Sequence, residues 1–523
     1  MAARHALLIA YALCLGALPA CVQDDGQRFD PLDDMLNVSE DEEREIGLQF
    51  DQQLRKSVDI IEDPVVAAFI HDLGHEIVDT LEPQPFVYRF RVIRADSLNA
   101  FAVPGGYIYF HSETVLAAGS LDELAGVMGH EIAHVKAHHY ARMRKQSQIP
   151  DILAGAVGLA AAVATGRPEP MMAAQGANVA LKLRWSREFE TEADRYGTIF
   201  MARAGWEPAA ITRFFERIIA LKRAQPHAIP PYLYSHPDVE QRIQTVKQQA
   251  DDLKPVGEPN PRLEEDFAEA QARLAWLIDN DRDSVPPPRP PEDSSRVDKQ
   301  LARVDALEKT GRLDEALLVL ATAESKEPRD PRIPYRIGEL LARQERWADA
   351  ALAYRRAVRL DPTRALVFYQ LGVAHKAAGD RHSAVYAFEQ AGRRAGPNSS
   401  LRKRADLQVE MLIFPVLVEK GFADPDASDQ DSPAGKQLTE FAAGVQRMAW
   451  YGRLHPRYKA YPDRLSLRWI DPQGRVAGET AVKERGGYLT SVLALPEPSA
   501  AGDWKVEVLY EQDVIERHPI PVR

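Results

Sequence analysis

A spacing of 34 residues runs through residues 297–398 and limits what that part of the chain can become. Ala316, Ala350 and Ala384 repeat at it, as do Gly338 and Gly372, while Gly311 and Gly379 stand at twice the interval and Pro328 and Pro362 close successive units. Tyr354 and Phe388 follow their alanines by four residues, and Ala357 and Ala391 come three later. A period of this length holds one pair of helices, and small residues recur where paired helices approach closely. Stacked units bury what one unit cannot, so an α-solenoid is expected.

A second constraint is chemical. The run Gly129-His130-Glu131-Ile132-Ala133-His134 places two histidines four residues apart with a glutamate beside the first. On a helix the two imidazoles point from one face toward a common metal, and Glu131 reaches a water there as general base. Ser120 and Glu123 form a capping-box pattern, and Leu121, Leu124, Ala125, Val127 and Met128 continue at helical spacing into the motif. A helix through His130 and His134 is therefore expected. His71 and His75 are similarly spaced, but with Asp72 after the first; an ordinary amphipathic helix over residues 64–81 explains them.

A zinc peptidase takes three protein ligands and leaves a fourth position open, so a third ligand must come from elsewhere. Residues 186–197 carry Glu188, Glu190, Glu192 and Asp194 on an expected helix. Glu190 and Asp194 share one face, which suits one as ligand and the other as the orienter of a ligating histidine. Spacing alone leaves Glu192 in contention. His138 continues the motif helix by one more turn and is expected along the cleft.

The N-terminus reads as an export signal: Arg4, an apolar stretch over residues 6–18, then Leu18-Pro19-Ala20-Cys21. Of the two cysteines, Cys14 would leave with the signal, and Cys21 resembles a lipid attachment point at a membrane surface. Beyond the leader no stretch reaches the roughly 18 apolar residues that would span a bilayer. A net charge of −12 argues against nucleic acid as a partner.

The expected organisation is a signal peptide at 1–20, a mobile lead-in at 21–43, an α+β unit at 44–280 and a Pro-rich linker at 281–296. The repeats at 297–398, a helical connector at 399–460 and a β-rich unit at 461–523 complete it. An apolar segment at 152–165 is expected as a buried helix or a lid. Strands are expected over residues 86–94 and 106–110, and alternation over residues 465–522 suggests an antiparallel β-sandwich.

Four ordered runs carry a family resemblance: Asn99-Ala100-Phe101-Ala102-Val103-Pro104-Gly105-Gly106, Gly129 to His134, Glu190-Thr191-Glu192-Ala193-Asp194-Arg195, and Ser235-His236-Pro237. Together they resemble the gluzincin metallopeptidases that include the CAAX prenyl proteases and HtpX-like peptidases. The 34-residue units resemble tetratricopeptide repeats, and the combination with an export signal resembles the family's periplasmic, repeat-bearing form. The resemblance implies a multidomain, mainly α chain with a zincin-type domain and one Zn2+ bound by His130, His134 and Glu190. Glu131 and Asp194 would serve catalysis, Asp194 as the supporting carboxylate, and His236 would be a fourth ligand or latch. It also implies a substrate-pairing edge strand at Gly106, Tyr107, Ile108, Tyr109 and Phe110. Oxyanion support would come from Arg242, Tyr232 or Tyr234, with nothing in the sequence to choose among them.

The expected activity is zinc endopeptidase action on unfolded or misassembled secreted and outer-membrane polypeptides in the periplasm of a Gram-negative bacterium. The repeats would dock substrate or the outer-membrane assembly machinery. The rival expectation is a latched zinc protein that acts as a periplasmic chaperone or scaffold.

Overall fold

The computed structural model describes residues 38–147, 187–224, 231–279, 294–423, 437–458, 465–485, 488–495, 497–510 and 513–523. The leader with Cys21, the segment at 152–165 and residues 281–293 of the Pro-rich linker lie outside the described residues, while the linker's last three residues belong to the helix Ser294–Lys309.

The α+β unit begins earlier than the expected lead-in allows, because Ser39 caps a helix over Glu40–Ser57 and accepts from the Glu42 N–H. Next come β1 (Ile60–Ile61), a helix over Pro64–Val78, β2 (Arg89–Ile93), β3 (Ala100–Val103) and β4 (Tyr107–His111). The sheet order is β1-β2-β4-β3, with β4 parallel to β2 and antiparallel to β3. This corrects the expected edge strand: residues 107–110 sit inside the sheet, paired on both sides and buried throughout, while Gly106 belongs to the turn before them. The edge beside the motif helix is β3, from the Asn99 to Gly106 run.

That motif helix spans Leu121–Lys136, with Ser120 accepting from the Glu123 N–H. It crosses the helix Arg187–Arg203 where two glycines meet. A Cβ on Gly197 would lie 3.1 Å from His130 N, and one on Gly129 would lie 3.4 Å from the Gly197 carbonyl oxygen. A side chain at Gly197 would press on the motif-helix backbone and hold the two helices, and hence their ligand faces, apart.

Helix pairs follow at the expected period: Leu313–Lys326 after Ser294–Lys309, Trp347–Leu360 after Arg332–Arg343, and Arg381–Arg394 after Ala365–Ala377. Ala316, Ala350 and Ala384 are fully buried between them. Gly338 packs against the Tyr354 ring and Gly372 against the Phe388 ring, each too close for a methyl group. The 34-residue spacing is thus a packing rule in which glycine on one helix makes room for an aromatic on the next.

Residues 399–460 are not a helical connector. One helix, Ser400–Ile413, gives way to β5 (Leu417–Ala423), β6 (Gln437–Leu438) and β7 (Arg447–Leu454). They join β8 (Leu465–Ile470), β9 (Val476–Ala481), β10 (Lys483–Arg485), β11 (Tyr488–Ala494), β12 (Gly502–Tyr510) and β13 (Asp513–Val522) in two antiparallel sheets, β10-β11-β7-β5-β6 and β13-β12-β8-β9. Trp450, Trp469, Leu467, Val506 and Ile520 bury one core shared by both sheets. Neither sheet closes into a barrel, and among the described residues no helix is long and apolar enough to cross a membrane.

The units interlock. The third repeat docks on the α+β unit through Glu389, which lies 3.1 Å from Arg89 Nε and 3.2 Å from an Arg91 terminal nitrogen. Arg91 also meets Asp51 at 2.9 Å, and the Tyr109 hydroxyl donates to Asp51 at 2.8 Å. The His71 and His75 pair sits in this seam, His71 stacked on Tyr386 with centroids 4.2 Å apart. The Tyr88 N–H donates to His382 Nδ1 at 3.1 Å. On the other side, Arg457 of the β-rich unit meets Glu45 at 2.8 Å, and His455 meets Asp41 at 3.2 Å.

Burial opposes the charge on Glu389, but Arg91 and Arg89 outweigh it and hold its carboxyl down to about 2, from an ordinary 4.5. A carboxyl depressed on folding stabilises fully above its unfolded value and loses that contribution as pH falls through its folded value. Glu389→Gln, which leaves two arginines facing a neutral group, should cost about 3–5 kcal/mol at pH 7. In denaturant unfolding the gap should shrink between pH 4.5 and about 2; a pH-independent gap would contradict the charge account.

Candidate metal centre

The two helices that cross at Gly129 and Gly197 supply most of the site. From the motif helix come His130, Glu131 and His134, and from Arg187–Arg203 come Glu190 and Asp194; all are buried. A short helix, Tyr232–Ser235, delivers His236 from the opposite side, with the Tyr232 ring stacked on it at 4.4 Å.

Ligand atoms of His130, His134, Glu190 and His236 all lie within 4.8 Å of one another. His130 Nε2 and His134 Nε2 stand 3.1 Å apart, and a Glu190 oxygen is 3.4 Å from His134 Nε2. His236 Nδ1 lies 3.0 Å from the same glutamate oxygen and 3.4 Å from His130 Nε2. Both carboxylate oxygens of Glu131 are buried without a hydrogen-bond partner, and so is His236 Nε2, 3.5 Å from Glu131. Buried polar atoms normally find partners. Imidazole nitrogens and one carboxylate aimed at a common point, with an idle glutamate alongside, fit the donor set of a catalytic zinc site.

The charges beneath the centre come from Arg242, on the helix Val239–Ala250. Its Nε and one terminal nitrogen donate to the two Asp194 oxygens at 2.7 and 2.6 Å, and the other terminal nitrogen donates to Glu190 Oε2. Burial opposes ionisation of both carboxyls, but Arg242 overrides it and keeps Asp194 below its ordinary range and Glu190 well below. Asp194 Oδ1 also lies 3.0 Å from His130 Nδ1. Glu190 thus turns one oxygen to Arg242 and the other to the histidines.

Elsewhere in the site burial dominates some groups and loses in others. It raises Glu131 above the ordinary carboxyl value, against the pull of His236 and His130. It also carries His134 well below the usual imidazole range. For His236 burial works downward, yet Glu190 and Glu131 raise it overall.

Several expectations change place. Arg242, expected as oxyanion support, spends its donors on Asp194 and Glu190, since a guanidinium buried beside two carboxylates pairs with them. Tyr232 lies buried under the His236 ring, and the Tyr234 side chain lies outside the described residues. Glu192 faces away from the histidine cluster, 3.3 Å from His139 Nε2 and 2.9 Å from Arg142. His138 leaves the helix: Lys136 ends it, His138 takes a left-handed conformation (φ 50), and its Nδ1 meets Glu43 at 2.7 Å. Arg242 is expected near the site but pairs with Asp194 and Glu190 instead, and Glu43 carries no local pattern that marks it, because it enters from a sequence-distant helix.

Residues 64–250 match the model of peptidase family M48, and residues 301–365 match a tetratricopeptide-repeat model. The β-barrel assembly-enhancing protease of Escherichia coli is 30% identical over 292 residues, which are 54% of this chain and 58% of the relative. A Vibrio cholerae protein to which the same name is provisionally attached is 34% identical over 271 residues, 50% of this chain and 55% of its own. The mitochondrial metalloendopeptidase OMA1 of Schizosaccharomyces pombe is 30% identical over 165 residues, 31% of this chain and 46% of that one. The chain therefore spans little more than half the length of the bacterial relatives it matches.

Removing the charge under the site should be costly even without metal. Arg242→Leu strands two buried carboxylates and should lower stability by about 3–5 kcal/mol in chelator-treated protein, measured by denaturant unfolding. An unchanged midpoint would mean the carboxylates do not depend on it.

Proposed function

We propose that this chain is a zinc-dependent endopeptidase of the bacterial cell envelope, acting on unfolded or misassembled secreted and outer-membrane polypeptides. The observation that carries the reading is the buried convergence of His130, His134 and Glu190 beside the unpartnered Glu131. The names of the bacterial relatives, the export signal and Cys21 support the envelope setting and a lipid tether. The gluzincin motifs shared with CAAX prenyl proteases and HtpX-like peptidases support the chemistry.

His130, His134 and Glu190 would hold one zinc and leave a fourth position for water, which His236 would fill only in a latched state. Bound there, zinc supplies Lewis-acid polarisation of the scissile carbonyl and acidifies a water. Glu131 takes the proton from the attacking water and returns it to the leaving amine, and its burial, which raises its proton affinity, suits both steps. Asp194 positions His130, and Arg242 holds Asp194 and Glu190. An extended substrate backbone would pair with β3, a mode that tolerates many sequences; the reading is supported by β3, not β4, being the sheet edge. The repeats would dock substrate or components of an outer-membrane assembly machine.

His236 supports a second reading, a mostly latched zinc protein with a chaperone or scaffold role. Its ring stands among the ligand atoms and against Glu131, where an attacking water would need to sit.

Glu131→Gln should keep about one zinc per chain and lose at least a hundredfold in cleavage of an unfolded outer-membrane polypeptide, on the scale of a general base. Undiminished turnover would sink the mechanism. In the same assay His236→Ala should raise cleavage severalfold, and an unchanged rate would remove the latch.

A further inference from the structure

We propose that His139 and Glu192 form a relay that fixes His134 in the tautomer and ring orientation that face the metal, making both of them positioning residues. The inference rests on the reading of His134 as a zinc ligand.

The two motif histidines are supported differently. His130 Nδ1 lies directly against Asp194, 3.0 Å away. His134 Nδ1 faces another imidazole, with His139 Nδ1 2.8 Å away. Two ring nitrogens at that distance share one proton, so one must donate and the other accept. His134 Nε2 points at His130 Nε2 and Glu190, at 3.1 and 3.4 Å, where a ligand must offer a lone pair. Its proton is therefore on Nδ1 and is donated to His139 Nδ1. That leaves the His139 proton on Nε2, which faces Glu192 Oε2 at 3.3 Å. Arg142 in turn holds that carboxylate oxygen at 2.9 Å. Among the described contacts, each proton is used once and no two donors meet.

Backbone geometry delivers the relay. The left-handed turn at His138, tied to Glu43, ends the motif helix and starts the helix His139–Ser147 beneath His134. The His139 ring is fully buried and stacks on Phe189 with centroids 4.6 Å apart and planes 19° from parallel. That stacking restricts ring rotation. Glu192, which sequence spacing leaves in contention as a ligand, thus has a use of its own: each motif histidine ends on a carboxylate of the same helix, one directly and one through an imidazole.

The test compares zinc affinity, by competition with a chromogenic chelator, in full-length parent, His139→Phe, His139→Gln and Glu192→Ala, with thermal unfolding of the metal-free forms as the folding control. His139→Phe keeps the stack on Phe189 but removes the acceptor, and affinity should fall roughly 10–100-fold. His139→Gln can accept from His134 and donate to Glu192, and should stay near the parent. Glu192→Ala should fall between them. The reverse order, with Phe near the parent and Gln weak, would show that His139 only packs and would overturn the relay, as would equal affinities throughout. If His139→Phe does not fold, the remaining pair decides: a Glu192→Ala affinity equal to the parent's overturns the proposal. A parent that binds no zinc would sink the ligand reading itself, whereas a zinc-binding parent with indifferent variants sinks only the relay.

Discussion

The candidate site depends on one buried guanidinium. Glu190 and Asp194 are carboxylates sealed from water, and a charge taken into a protein interior is tolerated only when paired. Arg242 grips both oxygens of Asp194 and one of Glu190, so each carboxylate stays ionised and each has one oxygen committed to a histidine. Without it the helix Arg187–Arg203 would present two like charges to the motif helix. With it, the faces can close to the glycine contact at Gly129 and Gly197, and the imidazoles and Glu190 converge.

The same economy governs the assembly of the three units. The Glu389 carboxylate enters a seam that already holds Arg89 and Arg91, and Arg91 leans on Asp51 of the helix Glu40–Ser57. That helix also touches the β-rich unit through Asp41 and Glu45, and reaches the end of the motif helix through Glu43 and His138. One N-terminal helix therefore links the repeats, the sandwich and the site. The repeat solenoid packs through Glu389 against the sheet that carries β3.

What the sequence discloses is what local periodicity encodes. The pairing of His130 and His134, the shared face of Glu190 and Asp194, and the 34-residue alternation of small and aromatic residues are all set by helical geometry. They can be read without knowing what packs where. Strand order is a different matter, because residues 106–110 look like any alternating strand and only long-range pairing makes β4 an inner strand and β3 the edge. The helical expectation for residues 399–460 fails for a similar reason: β5 and β7 acquire their sheet from partners as distant as β11. No glycine or proline announces the left-handed turn at His138, so the helical pattern reads on past the true end at Lys136. Arg242 is expected near the site, but its pairing with Asp194 and Glu190 depends on a helix about fifty residues away, which no local pattern encodes.

The central claim is that one zinc sits where His130, His134 and Glu190 converge. Crystals grown with zinc and measured on both sides of the zinc absorption edge test it most directly. The account predicts a single anomalous peak bounded by His130 Nε2, His134 Nε2 and a Glu190 oxygen, roughly 2.0–2.2 Å from each. A peak elsewhere in the chain, or none at that point in zinc-saturated protein, would contradict it.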